Sequence, residues 1–422
     1  MKNTPRLILI LAHIILFLHV DAVAQTCTSA GCLDTAFGNG GKVNIPLGNS
    51  GGVVIRGGVL LSDGKIVALV TNASLSRSQL VKVNADGSLD TTFGSGGIVD
   101  VGWFYPNGIP VAIGTQMING EERFVLAGWR IVQQGRTDKY LLRVDRRLTD
   151  GSPDTSFGTG GSVLSNAGAA IHLVIQPFDQ RIVTVSEAPN SLTRLNIDGS
   201  VDTAFGNNGT AAVPFWGPIT MSGSDFLIGG SRRIDRQTVD MAVAKVDSYG
   251  SLVSGFGVNG VAAINFGSKW TAQAYSIKVD AVGRIVAAGV VTPFKKPQDI
   301  GIIRLSSSGV LDNSFNGTGR LVYDHAARSD EARSIDFQGD GRLLIAGTVG
   351  NSTNNDLAVL RIFDNGARDS TFDGDGVAET DILQNDTARN MFIILDPGCS
   401  CEKILLVGQS SNGLALARFL IQ

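Results

Sequence analysis

A six-residue pattern recurs seven times along this chain, and its spacing limits the fold more than any other feature. It reads LDTAFG from Leu33, LDTTFG from Leu89, PDTSFG from Pro153, VDTAFG from Val201, LVSGFG from Leu252, LDNSFN from Leu311 and RDSTFD from Arg368. Its phenylalanines, Phe37, Phe93, Phe157, Phe205, Phe256, Phe315 and Phe372, follow one another at intervals of 48 to 64 residues, and 50 residues remain after the last. Units of that size belong to architectures in which one supersecondary element stacks on copies of itself.

Each unit has the same internal order. A Gly-rich turn after the motif leads to a short strand, as in KVNI from Lys42, and then to a longer apolar run, as in VVIRGGVLL from Val53. A tight turn (Ser62-Asp63-Gly64-Lys65 in the first unit) precedes the most regular strand, written KIVALVT, RFVLAGW, RIVTVSE, DFLIGGS, RIVAAGV, RLLIAGT and KILLVGQ. A polar loop and a fourth strand, such as QLVKVN from Gln79, complete the unit. Glycine fills 53 of 422 positions, well above the usual ~7%, which fits many tight turns between short strands. No segment sustains a helical apolar period. These features predict an all-β fold: a seven-bladed β-propeller of four-stranded antiparallel blades, one blade per unit. A β-solenoid is the alternative, but its coils are shorter, about 20–30 residues.

Lys2 and Arg6 precede an apolar run over 7–20, and Ala22-Val23-Ala24 supplies a small-x-small cleavage pattern. This predicts a signal peptide over 1–24 and a single propeller domain over 25–422 that is secreted, extracellular or held at the cell surface, with the periplasm as a further location. No later stretch is apolar enough to span a membrane. A formal net charge of −3 without a basic stripe argues against nucleic acid. The expected state is a monomer.

The sequence DGKI, followed by two strands and DGSLDTTFG-x-GG in the first unit, resembles the delta-60 repeat family of exported bacterial proteins. The resemblance runs from about Leu33 to Gln422. It implies a surface-exposed or secreted propeller and carries no catalytic residues with it. The chain departs from the pattern at Val253, in place of the motif Asp, and at Asn316 and Asp373, in place of the Gly. Those turns are expected to be irregular.

The motif carboxylates Asp34, Asp90, Asp154, Asp202, Asp312 and Asp369 are expected to cap their turns by accepting backbone N–H bonds, and the motif phenylalanines to fill the gap between blades. Calcium binding by these carboxylates is the functional alternative, strongest at Asp373-Gly374-Asp375-Gly376, although a calcium loop needs more oxygen ligands than this. Every fourth strand also holds one cation in an apolar run: Lys82, Arg143, Arg194, Lys245, Arg304, Arg361 and Arg418. Buried charges need partners, so a pair with the motif Asp eight residues on is expected; a cation ring around an anion channel is the other reading. No catalytic residues and no cofactor are expected. Beyond the signal the only histidines are His172 and His325, in different units, which excludes a multi-histidine metal site.

Strand parity puts the motif corners and the second-to-third-strand turns on one repetitive face, and the more variable loops on the other. Variable loops on a rigid scaffold are where binding residues collect. Trp103, Tyr105, Trp216, Trp270, Tyr323 and His325 all fall in the loops between first and second strands, which predicts a carbohydrate or protein ligand on that face. The expected function is a non-catalytic binding or interaction scaffold; an extracellular hydrolase or lyase at the propeller mouth is the alternative. A tight acidic cluster at the mouth would favour the enzyme. Finally, Cys27, Cys32, Cys399 and Cys401 all map to the repetitive face. A closed ring would let the first pair bond to the second, while a local Cys27–Cys32 loop is the competing arrangement.

Overall fold

A computed structural model describes residues 29–48, 52–103, 107–134, 137–325, 329–350, 354–396 and 401–421. The signal-peptide segment, Cys27, Cys399 and Tyr105 lie outside the described residues. The described residues are all-β, with twenty-eight strands. β1 (Lys42–Pro46) is followed by β2 (Val53–Leu60), β3 (Ile66–Asn72), β4 (Arg77–Val83) and β5 (Ile98–Asp100), which form the first blade. β6 (Gly108–Ile118), β7 (Glu121–Gln134), β8 (Thr137–Arg147) and β9 (Ser162–Ser165) form the second, and β10 (Ala169–Ile175), β11 (Ile182–Glu187), β12 (Ser191–Leu195) and β13 (Thr210–Ala212) the third.

The fourth blade comprises β14 (Ile219–Ser222), β15 (Asp225–Arg233), β16 (Val239–Val246) and β17 (Val261–Ile264). The fifth comprises β18 (Thr271–Val279), β19 (Ile285–Thr292), β20 (Asp299–Leu305) and β21 (Arg320–Tyr323). A single parallel bridge, Val239 to Thr271, joins these two sheets. The sixth is β22 (Ser329–Phe337), β23 (Leu343–Gly350), β24 (Asn355–Ile362) and β25 (Val377–Thr380). The seventh is β26 (Thr387–Asp396), β27 (Cys401–Ser410), β28 (Gly413–Leu420) and, last, β1.

Blade and sequence unit are therefore out of phase by one strand, a correction to the one-blade-per-unit reading. The short strand after each motif is the outermost strand of the blade before it, because the motif corner turns the chain back along the fourth strand of its own repeat. For the first unit the blade before is the seventh. β1 pairs with β28 from Lys42 opposite Ala417 to Pro46 opposite Gly413, and Asp373 N–H donates to the Ala30 carbonyl at 2.9 Å. The ring is closed by its own two ends. The innermost strands β2, β6, β10, β14, β18, β22 and β26 each pack on the next, and β26 on β2.

The core lies between blades, as apolar clusters shared by neighbours. One gathers Phe37 and Val53, Ile55, Ile66 and Val81 of the first blade with Leu405, Val407, Leu414 and Leu416 of the seventh. Gly87 shows how closely blades approach. Its φ of 91° suits glycine, and a Cβ there would stand 2.7 Å from Val43 Cγ2 and 3.0 Å from the Phe37 ring. The turns at Asn316 and Asp373 are irregular as expected, with the second positive φ at Gly317 and Gly374, one residue earlier than at Gly40, Gly96, Gly160, Asn208 and Asn259, whereas the turn after Val253 is regular. Asn316 and Asp373 take φ of 51° and 50°, against 53–56° for the motif glycines Gly38, Gly94, Gly158, Gly206 and Gly257, since Asn and Asp tolerate this region.

Candidate functional site

The repetitive face is occupied by a device that ties each blade to the next. All seven motif phenylalanines are buried. Each of the six motif carboxylates accepts the N–H two residues on, for instance Thr92 N to Asp90 at 3.3 Å and Ala36 N to Asp34 at 3.2 Å. A fourth-strand guanidinium then spans carboxylate, ring and neighbour. Arg194 bonds Asp202 at 2.7 Å, lies 4.5 Å from the Phe205 centroid, and reaches the Ser248 carbonyl of the next repeat at 2.7 Å. Arg304 and Arg361 repeat this with Asp312 and Asp369, each pair at 2.8 Å. Arg418 closes the ring: its carboxylate is the N-terminal Asp34 at 2.6 Å, and its carbonyl is Ala85 at 2.9 Å. Lys82 stands 4.0 Å from Asp90.

Two positions depart from the sequence reading. In the second repeat the cation eight residues before the motif Asp is Arg146, bonded to Asp154 at 2.8 Å and 4.8 Å from the Phe157 centroid. Arg143 instead pairs with Asp145 at 2.8 Å. In the repeat that has Val253 the carboxylate has moved. Asp225 occupies the start of the third strand, where other repeats carry Lys65, Arg123, Arg181, Arg284, Arg342 or Lys403, and it pairs with Lys245 at 3.2 Å. These third-strand cations form an overlooked half of the device: Lys65 meets Asp90 at 2.9 Å and Lys403 meets Asp34 at 2.7 Å. The fourth-strand cations thus belong to this network, not to an anion channel.

The aromatic residues of the variable face divide. Trp103 is fully buried; its indole N–H donates to Asp145 at 2.6 Å and the Arg143 guanidinium lies 4.3 Å from its ring. It is a core residue, because Asp145 gives the indole the partner that burial demands. Trp270 is half-buried against the apolar cluster of blades four and five and folds over Gly267 of its own loop. Trp216 is 39% exposed. Tyr323 is buried at 8% exposure, and its hydroxyl stands 3.0 Å from His325 Nδ1. The three tryptophans do not assemble one surface, whereas Tyr323 and His325 do meet.

Around that pair, at the junction of blades five and six, titratable groups converge. His325 Nε2 contacts Glu379 Oε1, and the two rings stack with centroids 6.0 Å apart. The Arg368 guanidinium lies 5.7 Å from the Tyr323 ring. Asp299, Asp324 and Asp330 place carboxylate oxygens within 4.8 Å of one another. Burial first, and then the charges of Asp324 and Asp330, push Asp299 up to about 6. Asp330 also caps the connection, accepting the His325 N–H at 2.7 Å. Asp386 caps the corresponding loop of blade seven by accepting the Ile382 N–H at 2.6 Å, and burial pushes it up to about 7. Hard oxygen donors such as the three aspartates suit a divalent cation, although one Asp330 oxygen is committed to the cap. At Asp373-Gly374-Asp375-Gly376, the place of the alternative calcium reading, Asp375 accepts the Val377 N–H at 2.9 Å. Sequence reading found Tyr323 and His325 but missed Asp299, Asp324, Asp330 and Glu379; the density of acids in YDHAARSDEA signals Asp324 and Asp330, and no local pattern marks Asp299 or Glu379.

Among the described residues no helix is long and apolar enough to cross a membrane. A search of curated proteins found no match. The chain matches a family model described as a domain of unknown function (DUF5122) beta-propeller at residues 61–93, 283–315 and 338–372. Solved structures similar to it include the extracellular domains 1-2 of Drosophila Semaphorin 1a, at 10% identity and a TM-score of 0.47, covering 90% of this chain and 89% of that one. The polysaccharide lyase Uly1 matches at 9% identity and 0.48, covering 92% of both chains. The propeller domain of the Trilobed protease from Pyrococcus furiosus matches at 9% and 0.44, covering 87% and 95%. The three matched stretches each run from the turn after a second strand to a motif Phe, so the family model and the folded chain agree on a propeller repeat protein.

Proposed function

We propose that this is an exported, non-catalytic binding propeller whose ligand docks on the variable face at the junction of blades five and six. The observation that carries this reading is the convergence of Tyr323, His325, Glu379 and three aspartates there, on a scaffold whose other face is taken up by blade-to-blade contacts. Carboxylates beside an aromatic ring suit the hydroxyls and apolar faces of a sugar, so a carbohydrate is the favoured ligand class. The test is a glycan array with the processed chain, repeated with His325→Ala and Glu379→Ala. Loss of a positive signal in folded variants supports the junction; undiminished binding removes it. One observation favours turnover as a second reading: a carboxyl held near 6, as at Asp299, is suited to proton donation. Asp299→Asn would then abolish hydrolysis or elimination on a substrate panel while leaving binding intact.

Export is part of the same proposal and bears on the cysteines. Neither Cys32 nor Cys401 is a free thiol. The Cys32 carbonyl accepts the Leu420 N–H at 2.8 Å, and Leu420 lies opposite Lys403, two residues after Cys401. Both chain ends therefore reach one edge of blade seven, which supports bonding of Cys27 and Cys32 to Cys399 and Cys401.

A further inference from the structure

Six of the seven innermost strands carry a β-bulge at the same height, each leaving one residue without a partner on the neighbouring strand. The shifts fall at Ile55/Gly57, Pro110/Ala112, Ala170/His172, Ala274/Ser276, Ala332/Ser334 and Ala388/Asn390. The skipped residues are Arg56, Val111, Ile171, Tyr275, Arg333 and Arg389. Bulges re-aim side chains. Around the ring, blades five, six, seven and one therefore present Tyr275, Arg333, Arg389 and Arg56 in succession, while blades two and three present apolar residues. The result is a one-sided cationic crescent at the centre of the propeller.

The members of the crescent are not equally compensated. Arg333 is held by both Glu331 oxygens, at 2.8 and 2.7 Å, and its guanidinium lies 4.2 Å from the Tyr275 ring. Arg56 donates to Thr71 Oγ1 at 3.2 Å. Arg389 makes no ion pair among the described residues, and its buried Nε has no hydrogen-bond partner. Burial first, and then the neighbouring Arg333 charge, lower its pKa, with Glu331 opposing. A partly buried guanidinium with a like charge beside it is an unfavourable arrangement unless something supplies negative charge.

We propose that the ring centre is a binding site for an oxyanion, a carboxylate or sulfate group, gripped by Arg389 with Arg333 as the second cation. The planar fork of Arg389 matches two oxygens of such a group. Glu331 and Tyr275 fix the orientation of Arg333, so the site is organised before the anion arrives. The site shares no residue with the Tyr323, His325, Glu379 and aspartate cluster, and it stands or falls independently of the function proposed there.

The test is a titration of the processed chain with sodium sulfate and, separately, sodium acetate, at ionic strength held constant with sodium chloride. Melting temperature and calorimetric heat are read for wild type, Arg389→Gln and Arg389→Lys. The expected result is a saturable rise in wild type, weakened at least about tenfold in Arg389→Gln, with Arg389→Lys intermediate. Without anion, Arg389→Gln melts at or above wild type, since an uncompensated charge has been removed. Preference for one salt tells carboxylate from sulfate. Identical salt responses in wild type and Arg389→Gln overturn the proposal, as does an Arg389→Gln protein that is less stable with and without anion. Should Arg389→Gln not fold, absence of saturable heat in wild type is sufficient to overturn it.

Discussion

Arg143 and Arg146 lie three residues apart on β8, yet they do different work. Arg146 is 3% exposed and joins Asp154, Ser156, Gln116 and the Ile197 carbonyl. Arg143 is 20% exposed and shares Asp145 with Arg147 and the Trp103 indole. Arg146→Met should therefore cost about 3–5 kcal/mol by leaving a buried carboxylate short of its main partner, and Arg143→Met about 1 kcal/mol; chemical denaturation of both variants checks the difference. The carboxylates set a pH limit as well. At Asp34 burial opposes the charge, but the Lys403 hydrogen bond and the Arg418 charge outweigh it and hold the carboxyl below its usual value. Asp90 is pushed down to about 2, mainly by the Thr92 and Lys65 hydrogen bonds. A carboxyl depressed on folding contributes stability that is complete above its unfolded value, about 3.9, and is lost as pH falls through the folded one. The melting temperature should rise modestly from neutral pH towards about 5, as Asp299 and Asp386 take up protons that the unfolded chain does not, and then drop steeply from about 4 towards 2.

Strand composition made the elements readable, because short continuous runs of Val, Ile, Leu and Ala between Gly turns, without a helical period, leave little else to form. The register of the sheets was not readable in the same way. A strand of three or four residues, such as β5 or β13, carries no sign of which blade it completes; only its pairing with the preceding β4 or β12 decides. Exposure of aromatics was equally hidden, since Trp103 is buried with its indole on Asp145, 42 residues further along the chain. The migrated carboxylate of the fourth blade was readable in hindsight: DFLIGGS is the one third strand that starts with an acid, and its repeat is the one whose motif lacks Asp. This gives an element-scale prediction. Asp225→Lys alone places a second cation beside Lys245 with no carboxylate and should destabilise the fold by about 1–3 kcal/mol. Adding Val253→Asp restores the arrangement of the other repeats and should recover most of that loss. A double-mutant cycle with no coupling between the two positions would show that the exchange is coincidental.

For the whole molecule the decisive feature is that the last blade is built from both ends of the chain. β28 is paired by β1, the Leu33 backbone bridges Phe419, Asp34 takes both Arg418 and Lys403, and Arg361 reaches the Ile421 carbonyl at 2.6 Å. Removing residues up to Pro46 would leave β28 as a bare edge, strip two buried cations of their shared carboxylate, and free the gap filled by Phe37. Unpaired edges seek other strands, so the truncated chain should lose its single cooperative transition and associate, as read by calorimetry and light scattering. Monomeric, cooperative unfolding of that truncation would show that the ring does not depend on its closure. Disulfides across the junction would act on the same element from the other side. They would close a loop of more than 350 residues between Cys32 and Cys399 or Cys401, where chain entropy allows about 6 kcal/mol for the first bond before strain. Non-reducing peptide mapping of exported protein should recover one linked species joining the Cys27–Cys32 peptide to the Cys399–Cys401 peptide. Reduction should then lower the melting temperature most at the seventh blade, with hydrogen exchange rising first in β1 and β28. Two separate local loops in the map would refute the staple and leave closure to β1, Asp34 and the Ala30 hydrogen bond alone.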